Sequence, residues 1–194
     1  TDLLYFFVRN SGLRVTDLMQ GPVYGLMTPE MDGKIGLSTF FNYDSVFGTV
    51  LNRFMVQAVV GMPLTVYGTG GQNRGYLNLI DTLQCVRIAI DQPSDRGELR
   101  VLNQFTETYT VLQLAHKVID AAQELGIEAT IRHIDNPRLE KEDHYYNPSN
   151  EGLLKLGLIP HLLNRDALVN MMEEIVRQKF AIRENNIQPN IKWC

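Results

Sequence analysis

The chain has 194 residues, enough for one domain or one and a half, and 44% of them are hydrophobic against 21% charged, an ordinary globular composition able to bury a core. A net charge of -4 with no long basic run argues against a protein whose main work is neutralising a nucleic-acid backbone, while leaving room for a local basic pocket. No apolar run approaches the roughly 18–20 residues that span a bilayer, and the two cysteines, Cys85 and Cys194, are far apart and speak for a reducing compartment rather than a disulfide framework.

Residues 1–9 read as the tail of a helix, crowded by Leu3, Leu4, Phe6, Phe7 and Val8 and stopped by Asn10, Ser11 and Gly12. A helix so apolar needs partners on most of its surface. No signal peptide is visible, but the chain starts without methionine inside this helix, so a further N-terminal segment, and any targeting sequence with it, is expected upstream. Residues 13–19 read as a buried strand. In an α/β sheet, ligands bind past the carboxyl ends of the strands, which makes Gln20 a candidate by position; the alternative is a loop residue bonding the backbone.

Residues 26–42 form a long irregular loop with Pro29, Gly33 and Gly36. Asp44 is expected to cap a helix over residues 45–60, ended by Gly61, with Val46, Phe47, Val50, Leu51, Phe54 and Val56 on its apolar face. Residues 62–81 carry most of the sequence information. A β-type run, Leu64, Thr65, Val66 and Tyr67, leads into Gly68, Gly70 and Gly71; then come Arg74 and a second alternating run to Ile80, with Asp81 placed to cap the next helix. Two readings stand side by side. A glycine-rich link between two short strands is a hairpin loop. With an arginine at its lip and backbone N–H groups turned inward, it is also a place for a phosphate.

A helix follows over residues 82–91, in whose apolar pattern Cys85 reads as a buried thiol, then a strand over residues 98–103. Thr108 or Thr110 caps a long amphipathic helix to about Leu125, stopped by Gly126; His116 on it reads as structural or exposed rather than as a ligand. Residues 128–134 alternate as a strand. The polar loop 135–150 gathers Arg138, Glu140, Asp143 and His144, but its spacing matches no standard metal-ligand pattern, so no metal is expected. A short helix over residues 151–156 and a last one over residues 164–183 precede a polar tail with Trp193. There is no internal repeat, no Gly-x-Gly-x-x-Gly between a strand and a helix, no Gly-x-Ser-x-Gly, no His-Glu-x-x-His and no Walker loop. Read from its residues, the chain is expected to be a binding half whose reacting groups lie elsewhere or do not exist.

Gln20-Gly21-Pro22-Val23-Tyr24-Gly25 resembles the segment after the sixth strand of the extended short-chain dehydrogenase/reductases, and Leu64 to Gly68 with Gly71-Gln72-Asn73-Arg74-Gly75-Tyr76 and Asp81 resembles their nucleotide-sugar half. Tyr43-Asp44-Ser45-Val46-Phe47-Gly48-Thr49, Leu51-Asn52-Arg53-Phe54, Asn103-Gln104-Phe105-Thr106-Glu107, Asn136-Pro137-Arg138 and His144-Tyr145-Tyr146-Asn147 narrow the resemblance to the UDP-sulfoquinovose synthases.

The resemblance implies an α/β fold: the edge of a Rossmann sheet in residues 1–25, a mixed α/β UDP-sugar-binding region in 26–185, and a tail in 186–194. It implies an enzyme that uses NAD to make a 4-keto sugar from UDP-glucose, loses water, adds sulfite at carbon six and returns the hydride. Other UDP-sugar epimerases or dehydratases, or a non-catalytic nucleotide-sugar-binding subunit, are the alternatives. It also implies a homodimer at full length, in the cytoplasm or in the stroma of a photosynthetic eukaryote. Gln20 and Val23 would lie near the nicotinamide. Thr49, Asn52 and Arg53 would hold the sugar or diphosphate, and Thr65, Val66 and Tyr67 the uracil. Arg74 and Arg138 would clamp the diphosphate, and Glu140 would take a ribose hydroxyl. Leu139, Lys141 and Asn78 depart from the family pattern. The glycine-rich NAD fold and the Tyr-x-x-x-Lys helix are absent from these 194 residues, so the chain alone is expected not to turn over.

Overall fold

A computed structural model describes residues 2–31, 34, 41–136 and 146–187. The chain is mixed α/β and divides into two compact units. The first takes the described residues of Thr1–Val23, Gly75–Glu107 and Asn147–Leu162; the second takes those of Tyr24–Arg74, Thr108–Tyr146 and Leu163–Cys194.

The first unit is built on two parallel strands, β1 (Val15–Gln20) and β5 (Leu99–Gln104), in register from Val15 opposite Leu99 to Gln20 opposite Gln104. Cys85 from α3 (Leu79–Asp91) forms a core with Leu102, Leu153 of α5 (Glu151–Lys155) and Leu158, with Leu18, Ile88 and Leu156 packed against it. Burial, with the Asp81 charge nearby, holds the Cys85 thiol above its ordinary range, partly offset by a hydrogen bond with Gln104. The first helix, α1 (Asp2–Ser11), lies against β5 and buries only Val8; Leu3, Tyr5, Phe6 and Phe7 are exposed.

In the second unit, β3 (Leu64–Tyr67) pairs in parallel with β7 (Ile131–Ile134). Three helices complete it: α2 (Val50–Val60), α4 (Val111–Glu124) and α6 (Arg165–Arg177) pack on one another, and α2 and α4 also lie on β3. Their buried faces carry Leu51, Phe54 and Met55 from α2, Leu114 and Val118 from α4, and Leu168 and Met172 from α6. Each starts at a side-chain cap. Thr49 accepts from Asn52 N–H; Thr110 and Gln113 bond reciprocally; Asn164 accepts from Ala167 N–H. A third sheet has the order β2 (Val23–Tyr24), β4 (Asn73–Asn78), β6 (Glu107–Thr110).

Several expected boundaries move, for local reasons. Asp44 caps a turn, not a helix: its Oδ1 accepts from the N–H groups of Val46 and Phe47 at 2.8 and 2.9 Å, which holds its carboxyl below the usual range. Gly48 closes that turn by donating to Asp44 O at 3.2 Å, and a Cβ there would sit 2.4 Å from the same oxygen. The helix therefore begins only at Val50, leaving Val46 and Phe47 exposed. Likewise α3 starts three residues before the expected helix, because Asn78 caps it by accepting from Ile80 N–H at 2.9 Å. Asp81 lies inside the first turn, fully buried; its carboxylate accepts from His161 N–H at 2.8 Å and Gln84 Nε2 at 2.9 Å and meets His161 Nδ1 at 2.6 Å. Helix α6 ends at Arg177, and a short 3-10 turn at Lys179–Ala181 takes the place of its expected last turns, with another at Glu184–Asn186 beyond them. The strand expected over 128–134 is regular only at Ile131–Ile134.

Gly21 follows β1 and donates to Gln104 O at 3.0 Å; a Cβ on it would lie 2.5 Å from the backbone oxygen of Gly75. Two backbone segments cannot part without breaking their hydrogen bonds. Gly21→Ala is therefore expected to lower unfolding free energy by about 1–3 kcal/mol, the usual range for overpacking, measured by urea denaturation; an unchanged midpoint would show that the approach relaxes freely.

Candidate functional site

In the second unit, α2 and β3 are joined by an arrangement of polar side chains. A strand that pairs with β7 on one edge leaves alternate backbone groups facing the other way. On the paired edge, Leu64 N–H donates to Thr130 O at 2.8 Å and Gly68 N–H to Ile134 O at 2.9 Å. On the other edge, Thr65 meets side chains of α2. Its N–H donates to Gln57 Oε1 at 3.0 Å, its Oγ1 accepts from Gln57 Nε2 at 2.8 Å, and its carbonyl accepts from Arg53 at 2.9 Å. The same guanidinium donates to Tyr67 Oη at 2.8 Å and sits 4.4 Å from the centre of the Tyr67 ring, with the Phe54 ring 5.4 Å away. Arg53 is 7% exposed and Gln57 0%. A buried charge requires partners, and these acceptors and ring faces supply them.

The structure thus brings together Arg53, Thr65 and Tyr67 of the sequence-predicted set. Thr49 and Asn52 lie just before and inside the first turn of the same helix; Thr49 caps it, and Asn52 Nδ2 donates to Asn42 O at 2.9 Å. Val66 is fully buried within the strand that pairs with β7, opposite His133. Arg74 is half-buried on β4 and donates to Asn73 O at 2.8 Å. Arg138, Glu140, Leu139, Lys141 and the His144 cluster lie outside the described residues. Among the described residues no group of three or more His, Cys, Asp or Glu is placed to hold a metal.

The glycine-rich link is not the hairpin of the first reading. β3 and β4 do not pair as a hairpin; they belong to different sheets. Two of the link's N–H groups face carbonyls rather than an open concavity: Gly68 donates to Ile134 O and Gly70 to Tyr67 O at 3.2 Å. Its carbonyls in turn serve α4, with Gly70 O accepting from Leu112 N–H at 3.0 Å and Gln72 O from Val111 N–H at 3.2 Å. Gly70 has φ +78°, and a Cβ there would meet Val66 at 2.7 Å. Two members of the neighbourhood were not singled out in the sequence. Gln57 carried a signal, an amide inside the apolar run Met55, Val56, Ala58, Val59. His133 carried none; its Nδ1 lies 2.7 Å from Gly68 O, and since a carbonyl only accepts, that nitrogen holds the proton.

In the first unit, Gln20 is exposed at the carboxyl end of β1, beside Gln104 at the end of β5, which is buried and donates to Thr82 O at 3.4 Å. Gly21 and Pro22 separate Gln20 from Val23, half-buried in β2. These are the positions at which an α/β sheet presents residues to a ligand.

The mixed α/β fold with parallel strands is similar to that of solved nucleotide-sugar epimerases and dehydratases. UDP-glucuronic acid 4-epimerase of Bacillus cereus, solved with UDP-glucuronic acid and NAD, matches with a TM-score of 0.64 at 18% identity, over 92% of this chain and 50% of that one. Sequence narrows the likeness to UDP-sulfoquinovose synthases. The chain is 50% identical over 182 residues to the chloroplastic UDP-sulfoquinovose synthase of Spinacia oleracea, covering 94% of this chain and 38% of that protein. It is 43% identical to UDP-sulfoquinovose synthase of Sulfolobus acidocaldarius, covering 100% of this chain and 49% of that protein. The chain therefore spans half or less of the length of these homologues. A scan against family models finds no match.

The Thr65 hydroxyl is a buried acceptor for Gln57. Thr65→Val keeps the shape and the backbone bonds but strands the Gln57 N–H. A loss of about 1–3 kcal/mol is expected, read by thermal or urea unfolding; a neutral result would show that the amide finds another acceptor.

Proposed function

We propose that this chain is the substrate-binding part of an NAD-dependent UDP-sulfoquinovose synthase, which converts UDP-glucose and sulfite into UDP-sulfoquinovose. The observation that carries the reading is the 43–50% identity to proteins of that name over 94–100% of the chain. The α2–β3 junction supports it, because a pinned aromatic ring beside a strand suits a nucleobase.

In this reading Tyr67 forms the base wall, with Val66 and Thr65 behind it. Thr49, Asn52, Arg74 and Arg138 belong to the sugar and diphosphate side, Arg53 stands against the Tyr67 ring, and Glu140 takes a ribose hydroxyl. Gln20 and Val23 face the nicotinamide. The exposed Gln20 amide fits an NAD edge, and NAD would supply hydride transfer at the sugar; no glycine fingerprint for its pyrophosphate lies within these residues. The first unit is read as the edge of an NAD-binding sheet. Parallel strands are normally covered on both faces, and the exposed Leu3, Tyr5, Phe6 and Phe7 of α1 suit a covering half. Homodimerisation, and a cytoplasmic or stromal compartment, belong to the same proposal.

The 194-residue chain is expected to bind UDP-glucose but to give no NAD-dependent product alone. Fused to the NAD-binding half of a relative, it is expected to form UDP-sulfoquinovose only when sulfite is present, followed by mass spectrometry. Product without sulfite would assign it to another UDP-sugar epimerase or dehydratase. Arg74→Ala is expected to weaken UDP-glucose binding by about 10- to 100-fold, the scale of a charge-assisted hydrogen bond, measured by calorimetry; unchanged affinity would remove Arg74 from the diphosphate clamp.

A further inference from the structure

The two α2 side chains that meet β3 do together what a neighbouring strand would do. Gln57 takes the Thr65 N–H and Arg53 takes the Thr65 carbonyl, so the second edge of β3 is closed by side chains. Arg53 then extends beyond the backbone to the Tyr67 hydroxyl at 2.8 Å and lies across its ring at 4.4 Å. The Tyr67 carbonyl is held separately, by Gly70 N–H at 3.2 Å. Tyr67 is thus fixed at its backbone, its ring face and its hydroxyl before any ligand arrives. The guanidinium that fixes it is 93% buried, with two of its nitrogens donating to protein oxygens.

We propose that Arg53 and Gln57 are positioning residues for nucleotide recognition: they act as a surrogate edge strand on β3 and hold the Tyr67 ring ready for the base. This inference rests on the nucleotide-sugar reading of the second unit. It separates Arg53 from the diphosphate clamp, since a guanidinium committed to Thr65 and Tyr67 acts through them. Pre-organising an aromatic wall raises affinity by removing the ordering cost from the binding step. The contribution therefore belongs to the base and is the same whether or not phosphates follow it.

The test is a ligand series on the 194-residue chain. Uridine and UDP are titrated by calorimetry into the wild type, Arg53→Lys, Gln57→Leu and Tyr67→Phe, with the thermal midpoint of each recorded. Arg53→Lys keeps the charge and loses the fork; Tyr67→Phe keeps the ring and loses only the hydroxyl. Each is expected to weaken uridine and UDP by the same factor, about tenfold. Gln57→Leu is also expected to expose the Thr65 amide to fast hydrogen exchange. A loss confined to UDP in Arg53→Lys would make Arg53 a direct phosphate ligand and overturn the proposal, as would wild-type affinity for both ligands in Tyr67→Phe. If Arg53→Lys does not fold, Tyr67→Phe decides the matter alone. A wild-type chain that binds neither ligand would overturn the nucleotide site itself and this inference with it, whereas binding by the wild type with unaltered variants would overturn only the inference.

Discussion

The second unit depends on a charge placed where charges are costly. A guanidinium removed from water is tolerated only if its donors and its face are matched. Both terminal nitrogens of Arg53 are so matched, by the Thr65 carbonyl and the Tyr67 hydroxyl, and two aromatic rings lie beside the guanidinium. The condition works in both directions. Because Arg53 is anchored in α2, its partners tie that helix to one register of β3; a slip of one residue would exchange Thr65 for the apolar Leu64 or Val66 and turn the Gln57 amide toward hydrocarbon. Hydrophobic burial by Leu51, Phe54 and Met55 supplies the larger share of the adhesion but little of this specificity, since apolar contacts are not directional.

From that junction the rest of the unit follows by short steps. β3 in its place allows Gly68 to reach Ile134 and the chain to turn at Gly70; the turn brings the carbonyls of Gly70 and Gln72 to the first N–H groups of α4. A helix start that would otherwise leave orphan donors is thereby closed partly by a loop and partly by the Thr110 and Gln113 box. The glycines here serve a helix start and close packing. The first unit uses the same economy differently. Asp81, buried in the first turn of α3, gathers the His161 backbone and ring and the Gln84 amide, so that one carboxylate holds the turn after α5 on α3.

The likeness to UDP-glucuronic acid 4-epimerase at 18% identity, beside 43–50% identity to UDP-sulfoquinovose synthases, is what such a scaffold would produce. The residues that narrowed the resemblance, such as Tyr43 to Thr49 and Leu51 to Phe54, lie in the turn before α2 and at the start of that helix.

Read by itself, the sequence determined the α/β class, the helices at 111–124 and 151–155 to within a residue or two, the strand at 64–67 with no error, the buried Cys85 and the likeness to UDP-sulfoquinovose synthases. These rest on local signals: a hydroxyl cap, a glycine stop, the period of apolar residues, and strings of neighbours in the chain. Tertiary structure alone decided that Thr49 rather than Asp44 opens α2, that Asn78 rather than Asp81 opens α3, and that β3 and β4 go to different sheets. In each case several residues were chemically able to do the work. Asp44 and Asp81 are good caps in isolation, but the backbone of Val46 and Phe47 claims one and His161 the other. The partners of Arg53 were hidden for the same reason: a guanidinium reads alike on a wet surface and in a core, and only the packing of α2 on β3 removes the water.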